Sequence, residues 1–268
     1  MEALKFLEKD LYLACYSRAT RESYLNVNQN FLEFIKKSPR EVSQRDIETF
    51  LLHKFERGIS SRTVHQAVAA LKYYYCTVLK RKFSLKYPKL PKNFPTVLSR
   101  AQIKRMIKVT ENPKHRLLIQ LLYGSGLRVS EAIKVRREDL DFGRGLLKIR
   151  EGKGRKDRIV ILSNSFVKAC KGYLSIRLGI SPYIFPAQQG HITIRTAQLI
   201  IKNAAKRANI QNRVFCHALR SSFATHMIEN GTSIHHIQKL LGHSHIKTTL
   251  GYIKTRTDDI IHLKSPLP

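Results

Sequence analysis

Three prolines fall within the stretch Lys86-Tyr87-Pro88-Lys89-Leu90-Pro91-Lys92-Asn93-Phe94-Pro95, and no other stretch restricts the fold as much. Each proline fixes φ, lacks an N–H and pushes the residue before it towards extended backbone. A helix cannot run through such a segment, and the connection it makes is extended and stiff. The chain is therefore expected to divide into a first domain at 1–85, a linker at 86–96 and a second domain at 97–268. The lysines of the linker, Lys89 and Lys92 among them, suit a strap lying against a polyanion. On residue chemistry alone they equally suit a charged, solvated tether.

Before the linker the apolar residues recur at helical spacing. Leu4, Leu7 and Leu11 mark a first helix; Tyr24, Val27, Phe31 and Phe34 mark a second that starts near Thr20. Ser43 is expected to N-cap a third, with Asp46 at N3 and Gly58 closing it. A fourth runs from Ser61 through Val64, Val68, Leu71 and Tyr75 to Leu79. Its stripe reads as core. Its other face carries Arg62, His65, Lys72 and Lys80, which could track phosphates or simply be solvated.

After the linker, Ser99-Arg100-Ala101-Gln102 has the form of a capping box ahead of a helix, and Arg116–Tyr123 is strongly apolar. Leu146–Arg150 and Arg158–Leu162 are short β-type runs around a Gly-Lys-Gly turn, the pattern of a hairpin with a long loop. Further helices are expected near 165–178, 193–208, 217–229 and 233–241, the third stopped by Gly231 and the last by a left-handed Gly242. The fold class is mainly α with one small antiparallel β-sheet.

Forty-nine Lys and Arg against nineteen Asp and Glu give a net charge of +30. Such an excess repels itself unless an anionic partner offsets it, and nucleic acid is the usual one. Anionic membrane is the rival, but no apolar run approaches the ~18 residues that span a bilayer. The opening Met-Glu-Ala-Leu-Lys-Phe-Leu-Glu-Lys-Asp is too acidic and too broken for a signal peptide. Cys15, Cys76, Cys170 and Cys216 form no C-x-x-C pair and read as buried small hydrophobes in a reducing cytoplasm.

The polar residues of the second domain gather in four places. These are Gly124-Ser125-Gly126-Leu127-Arg128-Val129-Ser130-Glu131, then Gly152-Lys153-Gly154-Arg155-Lys156-Asp157-Arg158, then His217-Ala218-Leu219-Arg220, and finally Leu240-Leu241-Gly242-His243 followed nine positions later by Tyr252. His217 and Arg220 lie about one turn apart on a helix, so both can project from one face. In this order and spacing the four pieces resemble the tyrosine recombinases of the Xer/phage-integrase family. The resemblance implies a helical SAM-like domain and a mixed α+β catalytic domain that close around duplex DNA.

It also implies roles. A phosphodiester resists attack because its anionic oxygens repel nucleophiles and its alkoxide leaves poorly. A catalyst without a metal needs cations, an activated nucleophile and an acid. By resemblance Arg128 and Arg220 are the cations, each a fork that stays charged at any working pH. Glu131 would pair with Arg128 and orient it. Lys153 would protonate the departing 5′ oxygen, with Lys156 the nearest competitor. His217 would accept the proton of Tyr252, and His243 would donate to the phosphate. Tyr252 would attack to give a 3′-phosphotyrosine and a free 5′-hydroxyl. Arg155 and Lys156 join Arg62, Lys72, Lys89 and Lys92 as candidate DNA contacts. The family often has a histidine after H-x-L-R and Thr-His after the nucleophile; here Ser221 and Ile253-Lys254 stand instead.

No H-E-x-x-H occurs among His226, His235, His236, His243 and His245, and no Cys or carboxylate set has ligand spacing, so no metal and no cofactor are expected. The resemblance further implies a Holliday-junction intermediate and a homo-tetramer on two duplexes, its contacts made by a tail around Thr257–Leu263 that could equally pack on its own domain; the sequence leaves room for accessory proteins. Three other readings share features with this one: a mobile-element integrase or transposase, a type IB topoisomerase, and a non-catalytic DNA-binding protein.

Overall fold

A computed structural model describes residues 4–91, 96–150, 157–177, 179 and 181–242. The chain separates into two compact units, Met1–Asn93 and Phe94–Pro268.

The first unit holds α1 (Lys5–Leu13), α2 (Arg18–Ile35), α3 (Gln44–Glu56) and α4 (Ser61–Lys72). Their apolar stripes meet in one core built on Leu7, Leu11, Phe31, Ile47, Phe50, Val68 and Leu71. Local chemistry sets the starts. Ser17 caps α2, which begins at Arg18, two residues ahead of the expected Thr20 start, and Ser43 and Asp46 form the expected box on α3. The fourth helix does not run as α to Leu79. From Tyr73 to Val78 it widens into a π turn, and both Tyr74 and Tyr75, neighbours that an α-helix sends in different directions, are buried. Tyr73 donates to Asp10 at 2.7 Å, which fastens this turn to α1.

The second unit contains α5 (Arg100–Lys108), α6 (Pro113–Gly124), α7 (Val129–Ala132), α8 (Asn164–Ile176), α9 (Ile194–Arg207), α10 (Cys216–Glu229) and α11 (Ile234–Leu241). Ser99 and Gln102 form the expected capping box. α6 begins earlier than its apolar run, because Asn112 caps it and Pro113 occupies a first-turn position where no N–H is needed.

The sheet has three antiparallel strands where the hairpin pattern gives two: β1 (Leu140–Asp141), β2 (Leu146–Ile149) and β3 (Arg158–Ile161), in that order. Opposite residues share a face, so the register Leu147↔Val160 and Ile149↔Arg158 sends all four side chains towards the core. Lys148 and Ile159 point out. α10 is buried from Ala218 to His226 on every side, against α6, α9 and α11.

The fold class is as expected. The cysteine reading needs one correction: all four are free, but only Cys170 and Cys216 are buried, Cys76 is half-buried, and Cys15 is exposed. Cys15 follows the end of α1 with a positive φ of 55°, so the turn carries it off the apolar face. Among the described residues no helix is long and apolar enough to cross a membrane.

Candidate active site

α6 ends at Gly124, and the chain must turn sharply to start α7. Gly126 makes that turn at φ +61°, and a Cβ there would stand 2.4 Å from Cδ1 of Phe223 on α10. Only glycine satisfies both demands. Ser125, buried beside it, donates to the Ile161 carbonyl at 2.7 Å and ties the turn to β3. Arg128 then serves as the N-cap residue of α7.

Glu131, one turn on, holds Arg128 at two points. Its Oε2 accepts the Arg128 backbone N–H and its Oε1 accepts Nη1, both at 2.9 Å. The pairing implied by the resemblance is present. A second guanidinium that the motif reading passed over lies on the same carboxylate: Arg158 donates Nη1 to Oε1 at 2.9 Å and Nη2 to Oε2 at 2.7 Å. Burial opposes the charge on Glu131, yet the Arg158 bonds and charge, followed by those of Arg128, outweigh it and hold the carboxyl at about 2. Ile159, Val160 and Ile161 are all apolar, so the sequence shows no alternation here; the register puts Arg158 on the face of Val160 and not of the exposed Ile159.

Three guanidinium groups meet the end of α11. Arg158 Nε donates to the Leu240 carbonyl at 2.9 Å, Arg220 Nη2 to Leu241 at 2.7 Å, and Arg128 Nη2 to Gly242 at 3.4 Å. Carbonyls at the end of a helix carry the negative end of its dipole, so cations suit them. Gly242 has φ +63°, the left-handed stop expected from its place in the sequence. Arg220 is 1% exposed and also donates Nη1 to Gly126 at 2.8 Å. It is therefore no solvated surface charge. Its fork braces the Gly126 turn against the last turn of α11, while Arg128 keeps 25% of its side chain exposed.

His217 lies in the first turn of α10, three residues before Arg220, and remains exposed. Dense protein beneath the ring removes water from it, and the Arg220 and Arg128 charges add to this. Together they lower its pKa below the ordinary value of 6.5. The neutral imidazole dominates at pH 7.

A cavity of about 840 Å³ opens beside Arg128 and Glu131, lined further by Lys134, Arg136, Lys148 and Arg150. Arg150 is paired with Asp139 at 2.6 Å, and Lys148 with Asp157 at 3.4 Å. In the first unit Arg62, Lys72 and Lys89 are all exposed; Lys72 rests over the Tyr87 ring at 5.6 Å, so this lysine and the linker tyrosine pack together. Lys92, Lys153, Arg155, Lys156, His243 and Tyr252 lie outside the described residues. Among the described residues no cluster of three His, Cys, Asp or Glu has the form of a metal site.

Residues 96–258 match the Phage integrase family, and residues 4–85 match its N-terminal SAM-like domain. Tyrosine recombinase XerA of Pyrococcus horikoshii is 36% identical over 80% of this chain and 76% of its own. XerA of Pyrococcus furiosus is 35% identical over 98% and 92% respectively. The crystal structure of XerA recombinase covers 97% of this chain and 96% of its own, at 29% identity and a TM-score of 0.59. The fold is shared with a lambda integrase dimer bound to a COC′ core site, at 16% identity over 100% and 98% of the chains and a TM-score of 0.77. The chain belongs to the phage integrase family and is an Xer-like, site-specific tyrosine recombinase, an enzyme that cleaves and rejoins DNA.

Proposed function

We propose that this chain recombines a duplex DNA site by forming a 3′-phosphotyrosine through Tyr252, in the manner of enzymes that resolve chromosome or plasmid dimers in the cytoplasm. The Tyr252 oxygen bonds to phosphorus, its proton passes to His217, and the bond to the 5′ oxygen breaks as Lys153 protonates that oxygen. The ester keeps the bond energy, so the 5′-hydroxyl of another strand reverses the step without ATP. Strand exchange then runs through a Holliday junction within a homo-tetramer on two duplexes. Arg128 and Arg220 offset the phosphate charge as it grows, and His243 donates to its oxygens. Arg62, Lys72, Lys89, Lys92, Arg155 and Lys156 neutralise backbone phosphates, which makes affinity fall steeply with salt.

The observation that carries this reading is the arginine cluster at the end of α11, with the neutral His217 of α10 beside Arg128 and Arg220. A phenol needs both a base and nearby positive charge to become a nucleophile at neutral pH, because its free pKa is about 10. Expressing the chain in cells and sequencing the DNA that purifies covalently attached to it tests the proposal. The wild type is expected to enrich one short site, and Tyr252→Phe to bind that site yet yield no adduct. An adduct persisting in Tyr252→Phe excludes the assignment.

A further inference from the structure

The Arg128–Glu131 pair presents a difficulty that Arg158 resolves. A guanidinium that shares its charge with a carboxylate only 2.9 Å away is, as a pair, close to neutral. Such a pair has little left to offer an anionic phosphate. Arg158 lies on the other side of the same carboxylate, with both of its terminal nitrogens engaged and its side chain 10% exposed. The three groups together carry one net positive charge, and the member with an open face is Arg128.

We propose that Arg158 is a positioning residue for DNA cleavage: it neutralises Glu131 so that Arg128 keeps its charge for the scissile phosphate, and it fixes the end of α11 to the same carboxylate. The inference rests on the proposed role of Arg128.

Arginine is required by the geometry. Nη1 and Nη2 close on the two carboxylate oxygens while Nε, on the adjacent edge, reaches the Leu240 carbonyl at 2.9 Å. A lysine ammonium is a point donor and cannot span the two oxygens and the carbonyl as a planar fork does. The backbone has made room for this side chain as well. A Cβ on Gly242 would come within 3.0 Å of Arg158 Cδ and 3.2 Å of its Nε, so the glycine that stops α11 also lets the arginine pass across it. The strand register completes the arrangement. Because Arg158 faces Ile149 across the ladder, it starts on the core side of the sheet and needs no detour to reach Glu131.

Two consequences separate a charge-balancing role from a merely structural one. Removing the Arg158 charge should be partly corrected by removing the Glu131 charge too, since Arg128 alone again carries one positive charge. The loss should also shrink when the scissile phosphate has no charge to offset.

The test uses the full chain and a nicked suicide duplex built on the site recovered from covalent adducts, in two forms: a normal scissile phosphodiester and an uncharged methylphosphonate. Cleavage is followed in single turnovers at saturating DNA, with the folded state of each variant checked by thermal melting. Arg158→Met is expected to cleave the phosphodiester about 100-fold more slowly than the wild type, the size of loss seen when one preorganised cationic donor fails. Arg158→Met with Glu131→Gln should regain about tenfold, and the single-variant deficit on the methylphosphonate should fall below about tenfold. If Arg158→Met does not fold, Arg158→Gln is read in the same way.

Cleavage by Arg158→Met or Arg158→Gln within threefold of the wild type, or an equal deficit on both substrates with no gain in the double variant, overturns the inference. Failure of the wild type to form any adduct overturns instead the reading on which it rests.

Discussion

The Arg220 guanidinium, 1% exposed, donates to the Leu241 carbonyl at 2.7 Å and so binds the middle of the second unit to the last turn of α11. A charge this deeply placed is tolerable because its donors meet carbonyl oxygens. Arg220→Met is therefore expected to lower the stability of the second unit by about 3 kcal/mol, since it strands buried carbonyls at both Gly126 and Leu241. Urea unfolding of the purified variant measures it. Arg220→Lys should recover less than half of that loss, because an ammonium cannot hold both carbonyls as the fork does.

Gly126→Ala is expected to destabilise the chain by about 2–3 kcal/mol, through a strained positive φ and a clash with Phe223. The two causes are separable. In a Phe223→Ala background the ring is gone, leaving the backbone strain and a tight 3.0 Å approach to Leu241 Cδ2, so the further loss on adding Gly126→Ala should fall to about 1–2 kcal/mol. Equal losses in both backgrounds would show that the ring plays no part.

Glu131 makes stability depend on acid. Its folded pKa of about 2 lies below the ordinary 4.5, so its contribution is complete above pH 4.5 and disappears as the pH falls towards 2. The shift corresponds to about 3 kcal/mol, an upper figure for a carboxylate this well buried. Asp46 in the first unit is also held at about 2, by the Ser43 N–H first and Lys37 next, and titrates over a similar window. The comparison that isolates Glu131 is the difference between wild type and Glu131→Gln. That difference should be large at pH 7 and reduced to about a quarter of that at pH 2.5 by chemical denaturation.

On the role proposed for it, His217 is expected to set the acid limb of activity. Its pKa is lowered by partial loss of water around the ring and then by Arg220 and Arg128, so the neutral form persists below pH 6.5. Rates measured at limiting DNA report groups of the free enzyme. The half-point of that limb is therefore expected below pH 6.5, and it should move upwards in Arg128→Gln, which removes one of the neighbouring positive charges. His217→Gln should remove the limb and reduce cleavage by about 100-fold.

Elements whose cause is local were open to reading from the residues alone. Ser43 with Asp46, Ser99 with Gln102, and Gly242 each act within one turn, and each cap stands where the pattern put it. The π turn at Tyr73–Val78 was not legible, because its reason is tertiary: two adjacent tyrosines share one core, and Tyr73 has a partner on α1. β1 spans only two residues, too few to show an alternation. In the candidate site, Arg128 with Glu131, one turn apart, followed from the resemblance. Arg158 did not, because a charged residue at a strand end looks solvated until Glu131 and Leu240, distant in sequence, are brought against it. The burial of Arg220 was hidden for the same reason, since its acceptors lie at Gly126 and Leu241.

The pairing of Ile149 with Arg158 has a consequence for how the enzyme comes into being. A hairpin that zipped up one residue out of step would turn Ile159 towards Glu131 and leave the arginine in water. The carboxylate would then lose its chief counter-charge at the moment the helix end lost its anchor. A chain folded askew would thus lose stability and, on the role proposed for Arg158, the capacity to cut DNA at one stroke.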